Sequence, residues 1–432
     1  MIWFLYNIVF AIGYLLMVPG YLLRMKRRGG YRAHFQNRFG KYDQGQLSGR
    51  SDGDSIWLHA VSVGEMLVAL RFAEEWRSRE PDVKFVLSTN TSTGFALAEE
   101  RKHTLDALIY YPTDFPVYVS RALAAVKPRA LILTENEIWP NMVRQASKKN
   151  IPIFLINGRI SDRSFRGYSR IRFLYRRLLT LLSACYVQHE DDGKRLVMLG
   201  APQERVNTVG SVKYDNAAME RLVSDSVRSC LVAAGMTRKD RVIVGGSTWP
   251  GEENALVAAY VELRREFDDL KLVLVPRHME RGDAVMADVG KYPVRAARRS
   301  SYDGAEALDV LVVDTTGELG SFYAASDLVF VGKSLTEHGG QNPIEPAALG
   351  CAVVSGPNME NFRSVMNDLL RANAAMCVNS IAELQEVLGN LLRDPELRAG
   401  YGARARELVA DKRGALTATV DGVRSTLGSV SD

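Results

Sequence analysis

The sequence predicts an α/β protein made of two parallel-sheet units behind an amino-terminal apolar helix, and three observations carry that reading. From Ile56 onward, short apolar runs alternate strictly with amphipathic stretches, the signature of a parallel sheet covered by helices on both faces. The series stops near residues 207–215 and restarts at Arg241, so one sheet is followed by another. Residues 1–23 contain no charged side chain, and a basic stretch follows at once.

The apolar run reads Trp, Phe, Leu, Tyr, Ile and Val throughout. It is long enough to cross a bilayer core of about 30 Å at about 1.5 Å per residue. From Arg24 to Arg50 there are eight Lys or Arg against one acid, Asp43, and basic residues directly after an apolar span hold that side in the cytoplasm. No positive charge precedes the run and no small-residue cleavage site follows, which argues against a cleaved signal peptide. The expectation is a membrane-anchor helix over residues 1–23 and a basic juxtamembrane connector over 24–55. Pro19 and Gly20 leave open a tilted helix lying partly in the interface.

In the first unit, strands are expected at Ile56–Val61, Val83–Ser88, Leu108–Tyr111, Ala130–Thr134, Ile153–Ile156 and Ala184–Gln188, with helical patterns between them. In the second, strands are expected at Val242–Gly245, Leu270–Val275, Val310–Val313, Leu328–Val331 and Ala352–Ser355. Each is a short apolar run bounded by turn residues, as a strand buried on both faces should be. Residues 381–429 read as mainly helical, broken at Asp394 and Pro395. The units so delimited are 56–208 and 209–400, with a helical tail over 401–432, and the two α/β units would face each other across a central cleft.

With 432 residues and 47% hydrophobic content, the chain can bury cores of ordinary size. Cys185, Cys230, Cys351 and Cys377 lack CxxC spacing and sit among apolar residues, so neither a zinc site nor a disulfide framework is indicated. The six histidines are scattered, and the only Asp-x-Asp triplet, Asp52-Gly53-Asp54, lies in the connector rather than at a strand end. Metal chemistry is therefore not expected.

Polar residues gather at the carboxyl ends of the expected strands, where open α/β sheets bind ligands. In the second unit Leu328–Val331 runs into a glycine-rich turn, and Pro343 opens a helix carrying Glu345. Gly339 and Gly340 would let backbone N–H groups approach an anion, while Glu345 would accept hydrogen bonds from ribose hydroxyls. Arg277 follows another strand and suits a phosphate, and Gly317, Glu318 and Leu319 start a helix with free amides. Capping by Thr315 or Thr316 would equally explain the last segment. In the first unit Glu65 stands at a helix start after HAVSVG, a position that also serves the helix dipole. Glu135 and Glu137 follow the strand Ala130–Thr134, and two carboxylates so close cannot both cap one helix. Lys213 lies in the expected connection between the units. Six arginines and no acid occur from Arg163 to Arg177, and Arg163, Arg166, Arg170 and Arg177 share one face of a continuous helix, with Tyr168, Phe173 and Tyr175 between them. An anionic membrane surface or a phosphorylated lipid fits this patch better than nucleic acid, for which no motif is present; a solvated basic face also fits.

Jointly, HAVSVGE (59–65), TENEIWPN (134–141), INGRISDRS (156–164), GSVKYD (210–215), PRHMER (276–281), DTTGELGSFYAASDLVFVGKS (314–334) and GGQNPIEPAALG (339–350) resemble the 3-deoxy-D-manno-octulosonic-acid (Kdo) transferases of lipid A and lipopolysaccharide assembly. The stretches span nearly the whole chain in the family's order. The resemblance implies a GT-B fold with two facing Rossmann-like domains, and a metal-independent, inverting glycosyltransferase without a cofactor. It would move Kdo from CMP-Kdo to a lipid A precursor at the cytoplasmic face of the inner membrane. Carried over by motif, Glu65 is the base, and Glu135 and Lys213 stabilise the transition state. Pro276, Arg277, Gly317, Glu318, Leu319, Asn342, Pro343, Ile344 and Glu345 contact CMP. One departure is Gln341, where the family usually has His, which puts in doubt a positive charge at that position. A UDP-sugar transferase or epimerase, and a non-catalytic binder of anionic lipid, are the competing expectations.

Overall fold

The computed structural model describes residues 2–28, 34–48, 53–101, 105–217, 219–237 and 239–431. Much of the expected basic connector, including Arg32, Arg50 and Asp52 of the acidic triplet, lies outside them, as do the side chains of 21–28. The chain divides into two compact units, residues 1–215 with 413–432, and 216–412.

An amino-terminal helix α1 (Ile2–Arg28) opens the first unit. There follow β1 (Ser55–His59), α2 (Val63–Arg77), β2 (Lys84–Thr89), α3 (Ser92–Glu100), β3 (Ala107–Tyr110), α4 (Pro116–Val126), β4 (Ala130–Thr134) and α5 (Pro140–Lys148). Next come β5 (Ile153–Gly158), α6 (Asp162–Arg170), α7 (Arg172–Leu179), β6 (Ala184–Val187), α8 (Glu190–Leu199) and β7 (Val206–Thr208). These strands form a seven-stranded sheet in the order β3-β2-β1-β4-β5-β6-β7, and its pairs are parallel. Both faces are buried, as the unbroken apolar runs require: Trp57 of β1 packs into one core while Ile56 and Leu58 enter the other.

The second unit contains α9 (Asp225–Ala233), β8 (Arg241–Thr248), α10 (Glu252–Leu263), β9 (Leu270–Pro276), α11 (Gly282–Val289), β10 (Ala296–Arg298), β11 (Val310–Val312) and α12 (Leu319–Ala325). It continues with β12 (Leu328–Val331), α13 (Ile344–Ala348), β13 (Ala352–Ser355), α14 (Arg363–Arg371), β14 (Ala375–Cys377), α15 (Ile381–Arg393) and α16 (Pro395–Asp411). The sheet order is β10-β11-β9-β8-β12-β13-β14, again parallel. Each unit is thus a Rossmann-like, doubly wound sheet. The chain works outward from β1 and then reverses to β4; in the second sheet it reverses from β8 to β12. In open sheets of this kind ligands bind beside such reversal points, at the carboxyl ends of the strands.

Three features depart from expectation. Strands β7, β10 and β14 were not foreseen, because each is a three-residue edge strand, mostly half-buried or exposed, without an apolar run. The expected separate tail is instead divided: α16 stays with the second unit, whereas α17 (Ala415–Ser431) returns to the first and buries Val420 and Val423 against α2. The expected membrane span is also corrected, because among the described residues no helix is long and apolar enough to cross a membrane. One face of α1 is committed to the first unit. Tyr6 donates to Asp114 at 2.8 Å, Asn7 accepts from Asn141 at 2.7 Å, and the rings of Phe10 and Tyr14 meet Phe115 edge-on at 5.2 and 5.4 Å. The opposite face, with Phe4, Leu5, Val9, Ile12, Leu15, Leu16 and Met17, is exposed. The same run of apolar residues thus docks one face on the domain and leaves an apolar outer face.

Candidate functional site

At the reversal point of the first sheet, β1 leads into the start of α2. Ser62 caps that helix, its hydroxyl accepting from the Glu65 amide at 3.2 Å. The Glu65 carboxylate closes the box: it accepts from the Val61 amide at 2.9 Å, from the Ser62 amide at 3.4 Å and from the Thr134 hydroxyl at 3.2 Å. Thr134 is the last residue of β4, so the carboxylate bridges the two strands at which the sheet reverses. Glu65 is almost completely buried, at 7% exposure.

Glu135 follows directly on β4 with a left-handed backbone, φ 52°, and its amide donates to the Ile156 carbonyl at 2.9 Å. That conformation is costly for a residue with a Cβ and turns the side chain out of the strand's alternation. Burial and the neighbouring Glu65 charge raise its carboxyl above the usual range, opposed by Lys213 and Arg159. Burial, Glu65 and Glu135 push Glu137 up to about 7, against the lowering effect of a hydrogen bond from the Trp139 indole at 3.0 Å. Burial and Arg159 lower the Lys213 ammonium, while Glu135 sustains its charge. Glu65, Glu135 and Lys213 are therefore assembled within one unit. Lys213 had been expected in a connection between the units, but it belongs to the first. This cluster can take a proton on one carboxylate while a half-buried ammonium offsets negative charge beside it.

In the second unit the expected nucleotide contacts lie along the carboxyl edge of one sheet. Pro276 ends β9 and is buried; Arg277 is anchored by its amide to the Thr248 carbonyl at 3.1 Å, its side chain exposed and without a hydrogen bond or ion pair among the described residues. After β11, Gly317 adopts φ 84° and Leu319 begins α12. Glu318 is already engaged by Thr315, by Ser226 at 3.0 Å and by Arg299 at 3.4 Å; burial raises its carboxyl, but these partners outweigh burial and hold it low. After the glycine-rich turn, Asn342 caps α13 through the Ile344 amide at 3.0 Å and donates to Glu345 at 3.0 Å. Pro343 and Ile344 are buried, leaving only their backbone for a ligand.

The turn itself differs from expectation. The Gly339 amide donates to the Glu360 carboxylate at 2.7 Å and the Gly340 amide to the Lys333 carbonyl at 2.8 Å, so both are already taken up by the protein's own acceptors rather than held open for a bound phosphate. Their glycine requirement is conformational: φ is 119° and 72°, and a Cβ on Gly340 would lie 2.5 Å from the Met359 sulfur. The basic stretch is broken as well. Arg163, Arg166 and Arg170 lie exposed on α6, but Arg177 lies on α7 beyond a break at Ile171, so the four do not share one helix face.

Several residues escaped the sequence reading. Asn157, next to last in β5 and beside Glu135, is also left-handed at φ 51°, and its buried side-chain amide has no partner on either atom among the described residues. Glu252, fully buried, accepts the amides of Trp249, Lys333, Ser334 and Leu335 at 2.8–3.0 Å and so holds the turn after β12. Lys333 lies over the Trp249 ring at 4.1 Å. Position was the available signal for Asn157 and Lys333, which stand at the ends of strands that read as apolar; Glu252, in the first turn of α10, carries none.

Residues 33–216 match the family model described as 3-Deoxy-D-manno-octulosonic-acid transferase (kdotransferase), and residues 254–408 match Glycosyl transferases group 1. The chain is similar to a 3-deoxy-D-manno-octulosonic acid transferase of Haemophilus influenzae, 32% identical over 90% of this chain and 91% of the relative. It is equally similar, at 32% over 94% and 95%, to one of Bordetella pertussis. In fold alone it resembles the UDP-GlcNAc 2-epimerase of Neisseria meningitidis bound to UDP-GlcNAc, with a TM-score of 0.51 at 14% identity over 86% of this chain and 100% of that one.

Proposed function

Because the chain belongs to the 3-deoxy-D-manno-octulosonic-acid transferase family, glycosyltransferases of lipopolysaccharide biosynthesis, we propose that it moves Kdo from CMP-Kdo to a phosphorylated lipid A precursor by an inverting displacement that its own side chains carry without a metal. The observation that supports this most is the grouping of Glu65, Glu135 and Lys213 at the reversal point of the first sheet. Glu65 takes the proton of the acceptor hydroxyl as its oxygen attacks the anomeric carbon. The bond to phosphate breaks on the opposite side, and CMP leaves as a phosphate monoester. Lys213 offsets the negative charge that develops, and Glu135 keeps that ammonium charged and in place. In the second unit the Arg277 guanidinium suits the phosphate. Amides from Gly317 to Leu319 suit a base edge, and Asn342 with Glu345 the ribose hydroxyls. Pro276, Pro343 and Ile344 shape the backbone around them.

The same reading places the enzyme on the cytoplasmic face of the inner membrane. The exposed apolar face of α1 would lie in the lipid interface, and the arginines of α6 would meet anionic headgroups.

Incubation with CMP-Kdo and a tetra-acylated lipid A precursor, followed by mass analysis, tests the reaction directly. Glu65→Gln should lower kcat by about 100-fold or more while CMP binding is kept. Unchanged turnover would remove Glu65 as the base, and tight UDP binding without CMP binding would overturn the donor.

A further inference from the structure

A cavity of about 200 Å³ lies between α1 and the body of the first unit. Phe10, Tyr14, Met17 and Val18 of α1 form one wall, and Tyr111 and Trp139 form the other. Its volume is comparable with the roughly 150 Å³ of an apolar cavity that takes up a hydrocarbon guest. Met17 is 66% exposed and belongs both to this wall and to the apolar outer face of α1, so the mouth is continuous with the surface that meets lipid. The polar lining is small: Arg38, Asn90, Thr113 and Asp114, the last accepting from Tyr6 of α1. Arg38, nearly buried, donates to the Asn90 carbonyl at 2.9 Å and lies over the Tyr110 ring at 4.9 Å. A guest with a long apolar chain matches the aromatic and aliphatic walls that make up most of this lining.

The inner wall leads to the reacting groups. Tyr111 stacks on His59 of β1 with ring centroids 3.7 Å apart, and Trp139 donates to Glu137, whose carboxyl is coupled to Glu65 and Glu135. One layer of aromatic side chains therefore separates the cavity from the carboxylate cluster.

Resting on the acceptor assigned above, we propose that this cavity binds one acyl chain of the glycosyl acceptor, drawing it from the membrane along α1 and fixing its sugar beside Glu65. The chain would be read by length and fit rather than by hydrogen bonds. Acceptors with and without acyl chains would then differ in KM more than in kcat.

Met17→Trp tests this at the exposed mouth, where the larger ring can cover the opening without disturbing the core; Val18→Phe provides a second blockage from a half-buried position. Both should raise the KM for the acylated acceptor about tenfold, the loss expected when some two methylene groups are kept out, and leave kcat/KM for the deacylated sugar acceptor and CMP binding unchanged. An equal loss on both acceptors, or none on either, would overturn the proposal. Binding of fluorescent parinaric acid supplies a readout independent of transfer. It should bind the wild type, be displaced by the acylated acceptor and be lost in the variants. Displacement by phosphatidylglycerol as readily as by the acceptor would make this a bilayer-lipid site and overturn the assignment. Parinaric acid displaced by the acceptor, but with no Kdo transferred, would instead count against the reaction while leaving the cavity's ligand in place.

Discussion

Glu137 shows how far one side chain can be displaced by its neighbours. Its carboxyl ionises near 7 in the folded protein, against about 4.3 for a free side chain, because burial and the Glu65 and Glu135 charges all disfavour the anion. Between those two values the folded state binds more protons than the unfolded one, so this group makes stability fall as pH rises from about 4.5 to 7. Asp114, also pushed up to about 7 by burial, acts in the same direction. Urea unfolding of Glu137→Gln should show a shallower decline over that window, with the variant more stable than wild type at pH 8 and similar at pH 4. A variant less stable than wild type at pH 8 would mean that the anion is better satisfied than its surroundings indicate. The two left-handed residues Glu135 and Asn157 sit near the adjacent carboxyl ends of β4 and β5, and their strain is maintained beside the cluster of Glu65 and Glu137.

At the scale of elements, Glu252 holds together what the glycines were expected to organise. Its four amide partners tie the turn after β12 to the start of α10. Glu252→Gln would oppose an amide NH₂ to at least one of those N–H groups, and a lost hydrogen bond to a charged partner costs about 1.5–3 kcal/mol. A drop in melting temperature with at least tenfold weaker CMP binding is expected; intact CMP affinity would show that the turn holds its shape without this anion. Much of this level was legible in advance. The long central strands were readable because burial on both faces demands unbroken apolar runs, as in β4, β12 and β13. Glu65 was readable from its helix-start position, since Ser62 three residues earlier completes a capping box. The edge strands were not readable, because three half-exposed residues need no apolar pattern. Glu252 was not readable either, for a buried carboxylate satisfied by distant backbone amides looks, in sequence, like any glutamate in a first helical turn. The docking of α1 was hidden for a related reason: Tyr6 and Asn7 find their partners more than a hundred residues away.

At the scale of the whole molecule, the chain crosses from the first unit to the second and comes back. Asp215 accepts the amides of Gly414 and Leu416 at 2.6 and 2.7 Å, so the departing and returning strands of the chain are fastened to each other. Beyond them, Arg424 pairs with Glu80, and Gly422 fits where a Cβ would come within 2.5 Å of Tyr186. Truncation after Lys412 should therefore destabilise the first unit selectively: calorimetry should show one of two transitions moved to lower temperature, with CMP binding by residues 216–412 retained. A single unchanged transition would show that α17 adds nothing. The return of α17 also has a consequence for biosynthesis. Domains ordinarily fold as they leave the ribosome, amino-terminal first. Here the unit made first lacks one of its helices until residues 415–431 are released, so Val420 and Val423 have partners waiting for them throughout synthesis of the second unit. A ribosome that stops early leaves the first unit with α2 uncovered, and such a product is marked for removal by its own exposed apolar surface.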